Sequence, residues 1–256
     1  MTDLHKDTAA LIIGGTQGLG LAIAERLRAE GCTQLVISGR NVARGEAAAE
    51  GVGASFVASD LAETDSVVRL VDEAAERMGR VTALVNAGAL THRGSILDTT
   101  PEFFDLMFAT NARSPFFAIQ RVAQRAIEAG HAASMVNILS MSAHVGQSFL
   151  APYSASKGAL AVITKNAAHA LRSNRIRVNG INIGWMDTPG EDAIQREFPG
   201  AGDGWLEEAE AAQPMGMLVK PRHVAALASF MLSAESGVMT GSVVDFDQNV
   251  AGVVGE

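Results

Sequence analysis

Residues 9–20 read AALIIGGTQGLG, an apolar run that leads directly into a turn with four glycines. A continuous apolar run fits a strand that is buried on both faces of a sheet. The small residues after it let the backbone turn tightly and let a phosphate approach the first turn of the next helix. Between a first strand and a first helix, such a turn predicts a dinucleotide-binding site. A tight turn without a ligand is the alternative, and the spacing of Gly14, Gly18 and Gly20 is wider at its front than the usual fingerprint.

The remaining chain alternates short apolar runs with longer amphipathic stretches. This alternation predicts an α/β fold, a Rossmann-like doubly wound parallel sheet of about seven strands with helices on both faces. We expect one dinucleotide-binding and catalytic domain over residues 1–256, with an irregular substrate-binding loop at about 184–214 that is rich in Gly, Pro and acidic residues. The expected strands are 9–13, 34–38, 55–58, 81–85, 135–139, 177–181 and 242–246, and the expected helices are 19–30, 42–50, 65–78, 101–128, 152–172 and 221–233.

Composition narrows the classes of function. The net charge of -8 disfavours nucleic acids and anionic membrane surfaces, whose binders need clustered Lys and Arg. No apolar run approaches the roughly 18 residues that span a bilayer. The single cysteine, Cys32, cannot form an intrachain disulfide, which fits a reducing compartment. We therefore expect a cytoplasmic protein that acts on a small molecule, with no metal site, because His, Asp and Glu do not cluster at ligand spacing.

The only tyrosine, Tyr153, is followed four residues later by Lys157. Residues four apart share one face of a helix, so an ammonium group can lie close to the phenol. A nearby cation favours the phenolate and lowers the pKa of the phenol from its usual value of about 10. A hydroxyl from Ser140 could hold the group that Tyr153 protonates. The three residues predict an acid–base site for an alcohol or a carbonyl; the alternative is a half-buried aromatic ring beside a solvated charge.

Together these motifs resemble those of the short-chain dehydrogenase/reductase family, and the resemblance covers nearly the whole chain. It implies that Asn111, Ser140, Tyr153 and Lys157 are catalytic and that Tyr153 is the general acid or base of a hydride transfer between a nicotinamide cofactor and a hydroxyl or carbonyl group. Lys157 would lower the pKa of Tyr153, and Asn111 would hold a water that links Lys157 to solvent. The resemblance also implies a homotetramer that assembles through the helices at 101–128 and 152–172.

The choice of cofactor depends on the residues after the second strand. Gly39 stands where members that prefer NAD carry Asp, and Arg40 can pair with a 2′-phosphate through its planar guanidinium group. We therefore predict NADP(H) over NAD(H), although Gln17 stands where many NADP users carry a basic residue. The implied cofactor-binding residues are Gly14, Thr16, Gln17, Gly18, Leu19, Gly20, Arg40, Asn41, Asp60, Leu61, Asn86, Ala87, Gly88, Tyr153, Lys157, Gly184, Met186 and Thr188.

One family motif departs from its usual form. The segment that usually reads Asn-Asn-Ala-Gly is Asn86-Ala87-Gly88-Ala89 here. Counted back from Asn111, Asn86 takes the first Asn position and Ala87 the second; a shift by one residue is the alternative.

The substrate is less defined by the sequence. His92 and Gln147 could bind hydroxyl groups, which suits a sugar, a polyol or another polar ketone, whereas Trp185 could line an apolar site. A 3-ketoacyl-thioester reductase of the same family is an alternative, and it would need a basic patch for an acidic carrier. A non-catalytic dinucleotide-binding sensor or scaffold is another, which has no need of Ser140, Tyr153 and Lys157. The predicted substrate-binding residues are Ser140, Ser142, His144, Gln147, Tyr153, Trp185 and His92.

Overall fold

The computed structural model describes residues 3–197 and 204–252, and within these ranges seven strands form one sheet. All neighbouring strands are parallel, which confirms the predicted fold class. The strands are β1 Ala9–Ile13, β2 Gln34–Gly39, β3 Ser55–Ala58, β4 Ala83–Asn86, β5 Ala133–Ser140, β6 Ile176–Ile183 and β7 Val243–Phe246. Their order is β3-β2-β1-β4-β5-β6-β7, so the chain reverses its direction of winding between β1 and β4. Ligands of such sheets bind at this point, outside the carboxyl ends of the strands.

Helices cover both faces of the sheet and enclose two hydrophobic cores. Leu11 belongs to the core beneath the helices at 64–78 (α3), 114–129 (α5) and 151–171 (α6). Its neighbour Ile12 belongs to the core beneath the helices at 18–29 (α1), 42–52 (α2) and 221–232 (α9). Successive side chains of a strand point to opposite faces, which explains why the strands of this sheet are continuous apolar runs. The helices are α1 Gly18–Ala29, α2 Val42–Val52, α3 Thr64–Met78, α4 Pro101–Phe108, α5 Ser114–Ala129, α6 Ala151–Leu171, α7 Pro189–Arg196, α8 Trp205–Ala211 and α9 Pro221–Leu232. No helix in the described ranges is long and apolar enough to cross a membrane.

The helix expected at 101–128 is interrupted, so the prediction of one continuous helix is wrong. A π-helical turn, Ala109–Arg113, separates α4 from α5. Asn111 lies in this turn, and its side chain both donates to the carbonyl oxygen of Leu90 and accepts from the Leu90 amide, each at 2.8 Å. These two bonds tie the helix to the chain that follows β4. Such π-turns are frequent at functional sites.

The segment 184–214 is more ordered than an irregular loop, and that part of the prediction is wrong. Thr188 caps α7 by accepting the Glu191 amide at 3.1 Å, and Pro189 occupies the first helical position. The ring of Trp205, at the start of α8, stacks on Trp185 with a centroid distance of 6.3 Å. These local signals form two short helices that we did not expect. Residues 198–203 of the segment lie outside the described residues.

Candidate active site

A cleft of about 920 Å³ opens at the carboxyl ends of the strands. Its cofactor end comprises residues 14–20, which we call the glycine turn, together with residues 39–44 and 87–88. Its substrate end comprises α7 and Trp185. Ser140, Tyr153 and Lys157 line the same cleft. These three predicted catalytic residues therefore share one cavity, at the place where sheets of this kind bind their ligands.

Two glycines of the glycine turn leave no room for a side chain. A Cβ atom at Gly14 would collide with the backbone nitrogen of Gly88, and one at Gly20 would collide with the carbonyl oxygen of Gly14. Gly14 also has a φ of +80°, which favours glycine. Gln17 makes no side-chain cap at the start of α1. The amide groups of the first helical turn therefore have no side-chain partner at the cap, which fits a phosphate-binding site.

Two arginines line the cofactor end beside Gly39. Arg40 and Arg44 both line the cleft, and Nη1 of Arg44 donates to Oε1 of Gln17 at 2.7 Å. A Cβ atom at Gly39 would lie 2.7 Å from Cγ2 of Thr16, so an acidic side chain does not fit there without a shift of Thr16. The sequence reading missed Arg44. Its contact with Gln17 joins two elements, and no local signal in the sequence indicates it.

Asn41 and Asn86, both predicted to bind the cofactor, have other partners. The side chain of Asn41 caps α2 by accepting the Arg44 amide at 2.9 Å. The side chain of Asn86 is buried and donates to Oδ1 of Asn137 at 2.8 Å. Neither residue is among those that line the cleft. Both act on the cleft through the backbone that they hold.

The chain after β4 packs directly on the glycine turn. The amides of Ala87 and Gly88 both donate to the carbonyl oxygen of Ile13, at 3.0 and 2.9 Å. Ala87 and Gly88 line the cleft, as do the predicted cofactor-binding residues after β3, Asp60 and Leu61. The other predicted cofactor-binding residues that line it are Gly14, Thr16, Gln17, Gly18, Leu19, Gly20, Arg40, Tyr153, Lys157, Gly184, Met186 and Thr188.

Tyr153 and Ser140 line the same cleft and interact, but the acidity of Tyr153 differs from the expectation. Removal from water raises the pKa of Tyr153 to about 12; the neighbouring hydroxyl of Ser140 opposes this shift, and the negative charge of Glu191 adds to it. Burial also lowers the pKa of Lys157 to about 8. Within the protein alone, burial therefore outweighs the expected effect of the lysine on the phenol. The protonated phenol is suited to donate a proton to a carbonyl oxygen.

Hydrogen bonds to residues of β5 and of the turn after it hold the side chains of Lys157 and Ser140. Nζ of Lys157 donates to the carbonyl oxygen of Ile138 at 2.8 Å and lies 5.7 Å from the centroid of the Tyr153 ring. Oγ of Ser140 accepts from both the amide and the hydroxyl of Ser142, at 3.2 and 2.9 Å. Fixed neighbours of this kind hold an acid–base group in one geometry, which general acid–base catalysis requires.

Asn111 is buried behind the cleft rather than lining it. Its Nδ2 donates to Oγ of Ser156 at 3.1 Å, and that hydroxyl donates to the carbonyl oxygen of Tyr153 at 2.7 Å. With its two bonds to Leu90, Asn111 therefore connects the chain after β4 to the first turns of α6. The sequence could not indicate this geometry, because it depends on the π-helical turn.

The predicted substrate-binding residues divide into two groups. Ser142, Gln147 and Trp185 line the cleft with Ser140 and Tyr153. His92 is exposed and does not line it. His144 follows a tight 3₁₀ turn and does not line the cleft; its Nε2 lies 3.0 Å from Oδ1 of Asp245 on β7.

Glu191 is a cleft residue that the sequence reading missed. Its Oε1 accepts from Nε1 of Trp185 at 2.7 Å and from Nε2 of Gln195 at 2.6 Å, and all three side chains line the cleft. Thr188 and Glu191 have the spacing of a capping box, in which the glutamate normally turns back to the start of the helix. That spacing could have located α7, although the orientation of Glu191 toward the cleft follows from Trp185.

Comparisons with known proteins cover almost the whole chain. The model of the family described as "Enoyl-(Acyl carrier protein) reductase" matches residues 14–249. An NADP-dependent (R)-specific alcohol dehydrogenase of Lentilactobacillus kefiri is 34% identical over 253 residues, 96% of this chain and 98% of that protein. A galactitol 2-dehydrogenase of Agrobacterium fabrum is 30% identical over 247 residues, 93% of this chain and 95% of that protein.

A solved structure has the same fold and a similar sequence. A protein described as a short chain dehydrogenase/reductase family protein aligns with a TM-score of 0.83 and 32% identity, and the match covers 96% of this chain and 97% of that one. This structural match agrees with the fold described above. The chain belongs to the short-chain dehydrogenase/reductase family.

Proposed function

We propose that this protein is an NADP(H)-dependent oxidoreductase that interconverts a hydroxyl and a carbonyl group on a small polar substrate. The observation that carries the proposal is that Ser140, Tyr153 and the buried Lys157 line one cleft with the glycine turn, with Nζ of Lys157 5.7 Å from the centroid of the Tyr153 ring. A non-catalytic dinucleotide sensor has no need of this arrangement. Fold alone does not decide between these functions, whereas the chemistry of the site does.

The roles of the residues follow from their contacts. NADP(H), when bound, supplies or accepts the hydride. Tyr153 donates its phenolic proton to the carbonyl oxygen during reduction and takes a proton from the hydroxyl group during oxidation. Ser140 binds the same substrate oxygen, and Ser142 holds Ser140 in place. The charge of Lys157 stabilises the phenolate that remains after the proton leaves.

The residues of the cofactor end fit a dinucleotide with a 2′-phosphate. Gly14, Gly20 and Gly88 form a side-chain-free cradle in which backbone amides can approach a pyrophosphate. Arg40 and Arg44 would pair with the 2′-phosphate, and Gly39 supplies no carboxylate to repel it. The relative from Lentilactobacillus kefiri is named as NADP-dependent, which supports the same choice.

The substrate end favours a polar substrate. Gln147, Glu191 and Gln195 line it together with Trp185. The relatives named above act on an alcohol and on galactitol, according to their names. A 3-ketoacyl-thioester reductase is the second candidate, because the matching family model refers to the acyl carrier protein. The net charge of -8 is unfavourable for an acidic carrier.

Consumption of NADPH, followed by its absorbance, tests the proposed function. The panel contains sugars, polyol-derived ketones, small diketones and acetoacetyl thioesters, each with NADPH and with NADH. We expect oxidation of NADPH with a polar ketone or sugar and a slower reaction with NADH. A rate with acetoacetyl thioesters alone would favour the second candidate, and no rate with any compound despite tight NADPH binding would favour the sensor.

Domain organisation, assembly and location complete the proposal. We propose one catalytic domain over residues 1–256, with the 184–214 segment as its substrate-binding part.

A groove lined by Phe116, Phe117 and Ile163 runs between α5 and α6, and Phe116 is exposed, which supports assembly of a homotetramer through these helices. Light scattering coupled to gel filtration would measure the mass. Cys32 is buried and unpaired, which is compatible with the cytoplasm.

A further inference from the structure

Glu191 lines the substrate end of the cleft. Its Oε1 accepts two hydrogen bonds, from Trp185 and from Gln195. Among the described residues, no group donates a hydrogen bond to the other oxygen, Oε2. An ionised carboxylate can accept several hydrogen bonds, so this residue of the cleft wall has unused acceptor capacity.

The Glu191 carboxylate belongs to the same cleft as Ser140, Tyr153 and Lys157. Its negative charge acts on the Tyr153 phenol, which places Glu191 within electrostatic reach of the atom that exchanges a proton with substrate. Thr188 fixes the backbone of Glu191 at the first turn of α7. The other charged side chains among the described residues that line the cleft are Arg40, Arg44, Asp60, Arg93, Lys157 and Asp247.

We propose that Glu191 is a substrate-binding residue whose Oε2 accepts a hydrogen bond from a hydroxyl or ammonium group that the substrate carries beyond its reacting carbonyl. The inference rests on the proposed function and makes its substrate class specific. Hydrogen bonds to a charged group are stronger than those between neutral groups. The same carboxylate repels substrates that carry a carboxylate at that position.

A matched set of four ketones tests this inference. The parent is methyl propyl ketone. In the three analogues, the methyl group at the end of the propyl chain is replaced by a hydroxyl, an ammonium or a carboxylate group. We would measure kcat/KM for reduction of each with NADPH. Wild type should prefer the hydroxyl and ammonium ketones over the parent by about tenfold, the size of one charge-assisted hydrogen bond. The ketone with the higher value identifies which donor the site prefers.

Glu191→Gln removes the charge and keeps an oxygen that Trp185 and Gln195 can bond. Its amide nitrogen would then replace Oε2 and donate rather than accept. The variant should lose the roughly tenfold preference for donors and should reduce the carboxylate ketone several times faster than wild type. Its pH profile for alcohol oxidation should shift to lower pH, because the charge that raises the pKa of Tyr153 is gone.

Asp192→Asn is the matched control, because Asp192 is the next residue of α7 and bonds Trp205 and Arg196 instead of lining the cleft. It should keep the wild-type preference and pH profile. If Glu191 only held α7, Glu191→Gln would change all four rates by one factor, and this result would overturn the inference while the proposed function stood. Equal values of kcat/KM for all four ketones in wild type would also overturn the inference and leave the proposed function in place. If wild type reduced none of them, the inference and the proposed function would both fail.

Discussion

The two ends of the cleft are built by different means. At the cofactor end, backbone packs on backbone: Gly14 meets Gly88, and Gly20 meets the carbonyl of Gly14 without room for a Cβ atom. At the substrate end, side chains hold the structure together. Trp185 stacks on Trp205, and Nε1 of Trp205 donates to Asp192 at 2.8 Å. Backbone packing admits almost no substitution, whereas side-chain pairs can be exchanged for other pairs.

This difference separates the two tasks of the enzyme. The cofactor end must keep one shape, because it binds a ligand that is the same in every reaction. The substrate end can change with little effect on the glycine turn, since the side-chain hydrogen bonds that hold α7 and α8 lie mostly within residues 185–220. We expect substitutions at the first end to affect cofactor affinity and substitutions at the second to affect the choice of substrate.

Gly20→Ala should have the largest effect on the cofactor end. Its Cβ atom would collide with the carbonyl oxygen of Gly14 and move the start of α1. Overpacking of this kind costs about 1–3 kcal/mol of folding free energy. We expect the displaced helix start to lower the free energy of NADPH binding by a comparable amount, which is a roughly 5- to 150-fold loss of affinity. Fluorescence titration with NADPH would measure it, with circular dichroism to verify folding.

Gly51→Ala is the control for this variant. Gly51 lies in α2, and a Cβ atom there would meet nothing within 4 Å. Alanine in a helix should stabilise the protein by about 0.5–1 kcal/mol and leave NADPH affinity unchanged. An equal loss of affinity in both variants would contradict the account of the glycine turn.

Arg44→Ala should have a smaller and more selective effect. Removal of one exposed guanidinium group should lower NADPH affinity about tenfold and leave NADH affinity nearly unchanged, because NADH has no 2′-phosphate. The same titration with both cofactors would measure the ratio. Arg69→Ala, an exposed arginine of α3 that does not line the cleft, should change neither affinity. Equal losses for both cofactors in Arg44→Ala would mean that Arg44 does not read the phosphate.

Trp205→Phe should have the smallest effect and should be confined to the substrate end. It removes the hydrogen bond to Asp192 and part of the stacking on Trp185. A stability loss of about 1 kcal/mol is expected, or roughly 2–4 °C in Tm for a chain of this size. KM for the substrate should rise while NADPH affinity stays constant. A loss of NADPH affinity would refute the independence of the two ends.

The sequence predicted β1 and the glycine turn because both carry local signals. The bounds of β1, Ala9–Ile13, are those expected from its apolar run, and Gly14 and Gly18 have the positive φ that favours glycine. Arg44 was missed because its contact with Gln17 forms across two elements.

The substrate end could be predicted only in part. The caps that form α7 are local, but the orientation of Glu191 depends on Trp185, and the direction of His144 depends on Asp245 in a distant strand. The acidity of Tyr153 also depends on burial, which a sequence pattern does not measure. Long-range contacts therefore account for most of the differences between expectation and structure.

The central claim is that Tyr153 transfers the proton while the glycine turn binds the cofactor independently of it. The most direct test compares wild type and Tyr153→Phe in two measurements, NADPH affinity and the steady-state rate of NADPH oxidation with one active ketone. We predict a loss of about 10²- to 10⁴-fold in kcat with nearly unchanged NADPH affinity. A Tyr153→Phe variant that turns over at the wild-type rate would contradict the account.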